Sequence, residues 1–321
     1  MIIGPVTQEK RALEWIRHHS QWDRGVYVSS RQRILYPEVS GYLLPTLLAV
    51  GETRLAYRWA RWLASVQLPD GSLLGPDRMA YVFDTAQVVR GWLALHHDLP
   101  DLTCNIEKAL NWVVSSAGSD GCLLVPSTHA WTLPNSRRVP ETIHLYAVAP
   151  LLEAARRLRS TVALDVLERS LDYYKTNSDV TSFATLIHFH AYVLEALVDL
   201  GETSLARSGA ELMVRLQNPD GSLPAYPDVD WVCLPGVAQM AVVWYRLGML
   251  RPANLALEYL IRQQRASGGF VGSVGEGAAY FPDEEVSWAV KFFMDALWLK
   301  QQLDRPDSTQ RSATQQVPRE G

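Results

Sequence analysis

The chain has 321 residues, 48% of them hydrophobic and 20% charged, with a formal net charge of −4. That is ordinary globular composition with material for a large core, and it offers no basic field to attract nucleic acid. No stretch approaches the ~18 consecutive apolar residues of a membrane span, so none is expected.

The first residues, MIIGPVTQEKRALEW, lack an apolar run of signal-peptide length. Next, TQEKRALEWIRHHS (7–20) reads as an amphipathic helix. After it, apolar helices alternate with amphipathic ones. The apolar helices are expected at 41–50, 83–95, 142–155, 188–200, 235–247 and 287–302. Their amphipathic partners are expected at 53–67, 103–116, 161–175, 203–217 and 252–264. The partners end in polar turns carrying Gly, as in WLASVQLPDGSL (62–73) and LMVRLQNPDGSL (212–223). Weaker copies are YLIRQQRASGGF (259–270), WVVSSAGSDGCL (112–123) and IRHHSQWDRGVY (16–27). Beyond residue 303 the chain is polar and poor in large apolar side chains, and this tail (304–321) is expected to be disordered.

Six apolar helices have only five partners after them, so the N-terminal helix is expected to supply the sixth by pairing with the last apolar helix. Twelve helices would then form six hairpins, an inner ring inside an outer one. The expected fold is an all-α (α/α)6 toroid in one domain over residues 1–303. An open helical solenoid is the alternative.

The inner helices align on AVGET (49–53) and DLGET (199–203). In that register Tyr42, Gln87, Tyr146, Tyr192, Gln239 and Lys291 fall at one level. One turn earlier lie Glu38, Phe83 with Asp84, Thr142 with Glu141, His188, Pro235, and Ser287 with Trp288. Unpaired buried polar groups cost roughly 1–3 kcal/mol each, so a dry core would not collect them on all six helices. A wet or ligand-filled centre is expected, a plugging polar network being the alternative. The long loops gather at the N-terminal ends of the inner helices. They carry Trp22, Tyr36, Tyr81, Trp131, Tyr226, Trp231, Tyr280, Asp283, Glu284 and Glu285. Aromatic plates mixed with carboxylates suit sugar rings.

The Q-x-P-D-G-S turns at 67–72 and 217–222 are similar to the QW-type repeats of terpenoid-cyclase and prenyltransferase toroids. YPEVSGYLLPTLL (36–48), FDTAQVV (83–89), HFHAYVLEAL (188–197), LPGVAQMAVVW (234–244) and SWAVKFFMDAL (287–297) resemble a bacterial family labelled prenyltransferase-like. That family is found with polysaccharide-biosynthesis genes. The resemblance covers about residues 7–300 and implies the toroid and a polysaccharide context, with no activity to carry over. A protonating cyclase would need D-x-D-D, and DVDW (228–231) lacks its last carboxylate. No clustered Asp motif for magnesium stands out. Asp230, Cys233 and a histidine have poor zinc spacing.

Three glycan reactions fit the residues. Hydrolysis needs two carboxyls across the bond, for which Glu38 and Asp84 are the candidates, with Glu141 and Glu285 in reserve. Elimination or epimerisation at a uronic acid would use His188 and Tyr192, with Gln239 or Lys291 on the sugar carboxylate. The expected catalytic residues are therefore Glu38, Asp84, His188 and Tyr192. Tyr42, Gln87, Tyr146, Trp231, Gln239, Tyr280, Trp288 and Lys291 are expected to hold substrate. No metal or other cofactor is expected. The partner is expected to be an oligo- or polysaccharide. Cys104, Cys122 and Cys233 are scattered and odd in number, which suggests reduced thiols and a cytoplasmic location. A terpenoid enzyme and a non-catalytic glycan-binding scaffold remain alternatives, and the oligomeric state is not legible.

Overall fold

The computed structural model describes residues 5–124, 133 and 137–305; Trp131 and residues 306–321 of the expected tail lie outside them. The outer helices are α1 (Pro5–His18), α3 (Thr53–Val66), α5 (Thr103–Ser115), α7 (Thr161–Thr176), α9 (Thr203–Leu216) and α11 (Leu250–Gln263). The inner helices are α2 (Pro37–Ala49), α4 (Val82–Leu95), α6 (His144–Leu158), α8 (Ile187–Asp199), α10 (Leu234–Arg246) and α12 (Ser287–Asp304). Consecutive inner helices pack on one another, and α12 packs on both α10 and α2. The ring is closed, as an (α/α)6 toroid, and α1 packs on α12 as the sixth outer partner.

Burial separates the two rings. Outer helix α3 buries only Leu55, Ala56, Trp59, Ala60 and Leu63, one stripe at helical spacing. Inner helix α10 buries every residue from Leu234 to Tyr245. Helix α2 begins at Pro37 rather than near residue 41, because proline is preset for a first helical turn. Close packing of α2 on α4 depends on glycine: a Cβ on Gly91 would lie 2.2 Å from the Gly41 carbonyl oxygen.

The repeated turns are structural clamps. The Gln67 amide donates to Gly71 O at 2.9 Å within its own turn and to Asn105 O of α5 at 2.9 Å. Gln217 donates to Gly221 O at 3.3 Å and to Pro252 O of α11 at 3.0 Å. Gln264 repeats the pattern to Gly268 O at 2.9 Å and to Gln8 O at 3.1 Å. Each glutamine thus ties one outer helix to the next, and the last tie crosses from the end of the chain to its beginning. The turn glycine meets that same neighbour. Gly71 has φ 101°, and a Cβ there would lie 2.1 Å from Lys108 O. Within the turn, Asp70 accepts from the backbone N–H of Ser72 at 2.9 Å and from its hydroxyl at 2.8 Å.

The loops at the other end form short antiparallel pieces. Strands β1 (Val232–Cys233) and β2 (Ser273–Val274) pair, and single bridges join Ser29 to Val286 and Tyr27 to Leu35. These pairings hold the loop collar over the N-terminal ends of the inner helices.

Candidate active site

Under the loop collar lies a cavity of about 310 Å³. Its inner walls are Glu38 and Tyr42 of α2, Phe83 and Asp84 of α4, His188, Phe189 and Tyr192 of α8, and Trp288 of α12. The loops add Val28, Gln32, Tyr36, Pro76, Asp77 and Tyr81, then Leu133, Val139, Tyr280 and Phe281. Helices α6 and α10 contribute no wall residue, so four inner helices shape the cavity instead of the six expected. The wall is also more aromatic than a purely polar ring, with nine Phe, Tyr or Trp side chains among its residues.

All four residues expected to be catalytic line this cavity, as do Tyr42, Tyr280 and Trp288. The remaining expected substrate contacts do not. Gln87, Tyr146, Gln239 and Lys291 are buried under the wall as its floor. The Tyr146 ring lies 4.6 Å from that of Tyr192, and the Lys291 ammonium lies 4.8 Å over the Tyr42 ring. These residues share a level with Tyr42 and Tyr192, as their register requires, but neighbouring side chains cover them. Trp231 packs edge-on against Tyr226 at 5.8 Å, away from the wall. The reserve carboxylates are elsewhere too. Glu285 accepts from the Trp15 indole at 2.5 Å and from Ser267 at 2.6 Å, a clamp between the chain ends, and Glu141 is exposed.

The floor is an ion-paired network. Lys291 Nζ sits 2.9 Å from Asp295, which accepts from the Thr46 hydroxyl at 2.6 Å. Gln239 donates to Glu195 at 2.7 Å. Asp199 takes Arg90 at 2.8 Å and Arg246 at 2.6 Å. This network is the plug that the sequence left open as an alternative, and it closes the cavity at its lower end.

The two wall carboxyls differ in support. Burial pushes Glu38 up to about 7, while a Tyr36 hydrogen bond and the Lys291 charge work the other way. Asp84 is held well above the usual carboxylate range, by burial first and then by the charges of Glu38 and Asp77. Among the described residues no group works the other way on Asp84, and its Oδ1 accepts no hydrogen bond. Both acids sit in the first turn of their helices, where the helix dipole favours charge, but desolvation wins. His188 is lowered to about 3, chiefly by burial, so its imidazole is neutral. Its ring lies 4.4 Å from Tyr192. His190 and His144 are each lowered to about 4 by burial and serve packing: His190 lies against Phe183 at 5.5 Å, and His144 stacks on Tyr174 at 5.8 Å.

The Glu38 shift makes stability depend on pH. Its folded value lies above the unfolded 4.5, so its contribution is whole below about 4.5 and is lost as pH rises through about 7. Glu38→Gln keeps the uncharged shape at every pH. The melting-temperature gain of Glu38→Gln over the native chain is expected to be larger at about pH 8 than at about pH 5. A gain that is equal at both would mean Glu38 ionises freely in the fold. His188 acts with the opposite sign, losing stability as pH falls from 6.5 toward about 3.

Sequence reasoning noticed Tyr36, Tyr81, Phe83 and Phe189 without naming them as site residues, and it passed over Gln32, Asp77 and Phe281. Asp77 accepts from the Tyr81 hydroxyl at 2.6 Å. Backbone strain marks the same loops: Arg78 has φ 67° and Phe281 has φ 48°, costly conformations for side chains of that bulk. The available sequence signal was the aromatic density of the segments around residues 81 and 280.

No protein-family model and no curated protein matches the sequence. Solved structures do share the fold. An unsaturated glucuronyl hydrolase specific for heparin matches with TM-score 0.71 at 13% identity, over 94% of this chain and 98% of that one. An alpha-amylase from Clostridium perfringens matches with TM-score 0.68 at 12% identity, over 91% and 97%. A polysaccharide lyase matches with TM-score 0.65 at 12% identity, over 94% and 99%. At such identities the likeness establishes the toroid.

Proposed function

We propose that this protein is a carbohydrate-processing enzyme of hydrolase type, acting on a bacterial polysaccharide or its intermediate. The observation that carries the reading is a pair of buried, unequally supported carboxyls in one aromatic-walled cavity. Burial and the charges of Glu38 and Asp77 keep the proton on Asp84, which suits a general acid giving that proton to the glycosidic oxygen. Glu38 has a hydroxyl donor and a cation favouring its carboxylate, which suits the base or nucleophile. The aromatic wall would stack sugar faces. Structures sharing the toroid include ones named as hydrolase, amylase and lyase, which supports carbohydrate chemistry here. The free thiols Cys104, Cys122 and Cys233 suit a reducing compartment, and the resemblance of the inner-helix segments suits polysaccharide biosynthesis. Elimination and epimerisation are less favoured, since they need a cation on the sugar carboxylate and Lys291 is held by Asp295.

The test is product analysis on bacterial polysaccharides and oligosaccharides. New reducing ends without the ultraviolet absorbance of an unsaturated sugar would support hydrolysis. An absorbing product would replace it with elimination. Binding without any product would favour the scaffold reading.

One observation favours a second reading, a terpenoid cyclase. A carboxylic acid kept protonated among aromatic faces can protonate an alkene and shield the resulting cation. Conversion of a polyprenyl substrate to cyclic product, abolished by Asp84→Asn, would establish it. Among the described residues no three His, Cys, Asp or Glu side chains gather to hold a metal ion.

A further inference from the structure

Among the described residues the wall of the cavity contains no lysine or arginine, while three wall residues are acids, Glu38, Asp77 and Asp84. We propose that the deep end of this cavity takes an uncharged terminal sugar ring and rejects a ring bearing a carboxylate. The inference rests on the carbohydrate reading above and names the substrate class of that site.

Three observations carry it. First, the cation whose charge acts on Glu38 is committed. Lys291 is 4% exposed, its ammonium is 2.9 Å from Asp295, and it lies 3.7 Å over the Phe292 ring and 4.8 Å over that of Tyr42. The other cations under the floor, Arg90 and Arg246, are both paired with Asp199. An incoming carboxylate would have to break one of these pairs or stay unpaired, and an unpaired buried charge is among the costliest groups a protein can hold. Second, such a ligand would face Glu38, the group the site reading takes as the carboxylate, and that charge repels it. A neutral ring meets no such penalty, because its hydroxyls can give or accept hydrogen bonds at groups such as Asp84 Oδ1, which is buried without a partner among the described residues. Third, the floor is shut. Gln87, Tyr146 and Gln239 are each 0% exposed, so no passage continues through the ring. A pocket closed below suits a polymer that enters with its end, and the end unit is then the one whose charge the site selects. Exposed Arg31, Arg33 and Arg78 lie on the mouth loops outside the wall, where they can face units further along a chain without touching the end unit.

The experiment is calorimetric titration of the full chain with hydrolysis-resistant thio-linked oligosaccharides. The panel holds gluco-, galacto- and manno-configured terminal units, each paired with a partner oxidised only at C6 of that terminal unit. The expected result is binding by at least one neutral member, with its oxidised partner roughly tenfold or more weaker. Equal or tighter binding of the oxidised partner would overturn the inference while leaving the carbohydrate reading intact. If no member of either series binds, the carbohydrate reading itself fails, and this inference falls with it.

Discussion

Asp84→Asn is expected to lower kcat/KM for a glycan substrate about 10²–10⁴-fold, the usual worth of a positioned general acid. The amide keeps the carboxyl's shape and cannot give up a proton to a leaving oxygen. Folding is expected to survive, since the change removes a buried acid that has no partner at Oδ1 among the described residues. The pH profile of the native chain adds a second readout. With Glu38 as the carboxylate member, activity rises as that group loses its proton, near pH 7. Lys291 pulls the Glu38 value down, so Lys291→Met is expected to move the rising limb to higher pH. The two carboxyls titrate together, so the limb reports the pair. An Asp84→Asn variant with activity within about threefold of native would remove Asp84 from the chemistry. A limb that stays in place in Lys291→Met would remove Glu38 as its source.

The largest stability effect is expected at Trp244. Its side chain is 0% exposed, and its indole N–H donates to Ala210 O of the adjacent outer helix at 3.1 Å. Trp92 makes the equivalent bond to Ala60 O at 3.1 Å, so the contact recurs between inner and outer rings. Trp244→Ala is expected to cost about 3–5 kcal/mol through lost burial and the cavity left behind. In a chain of this size that lowers the melting temperature by roughly 4–8 °C. Trp244→Phe restores most of the packing and loses one hydrogen bond to a carbonyl that its own helix still bonds, for about 0.5–1.5 kcal/mol. Denaturant titration of both variants checks the ordering. A loss below about 1 kcal/mol in Trp244→Ala would mean the two rings are not held together at this point.

The helices were legible because each kind of helix leaves its own pattern. A one-sided stripe such as Leu55, Trp59 and Leu63 marks a helix with one wet face, and an apolar run such as that in α10 marks one without. Ring closure was legible too, because six inner helices with five following partners leave one face uncovered. The glutamine of the repeated turns was visible as a pattern, but its reach to the next outer helix was not. That hydrogen bond joins residues far apart in sequence, as between Gln264 and Gln8.

The site was legible in part for a related reason. Glu38, Asp84, His188 and Tyr192 could be placed because helical periodicity and the shared GET register fix which side of an inner helix faces the axis. What periodicity cannot supply is depth and partnership. Whether Lys291 greets a ligand or pairs with Asp295 depends on a rotamer one turn along its own helix. Whether Gln87 and Tyr146 touch the cavity or floor it depends on how side chains from opposite helices fill the axis. The loops add walls such as Phe281 that follow no period at all. Local pattern, set by backbone geometry, determined the twelve helices, their order and the faces they turn inward. The position of the floor, the lack of a lysine or arginine among the described wall residues and the weakened acidity of its carboxyls came only from tertiary packing, because charge and solvation depend on neighbours that the chain brings in from far away.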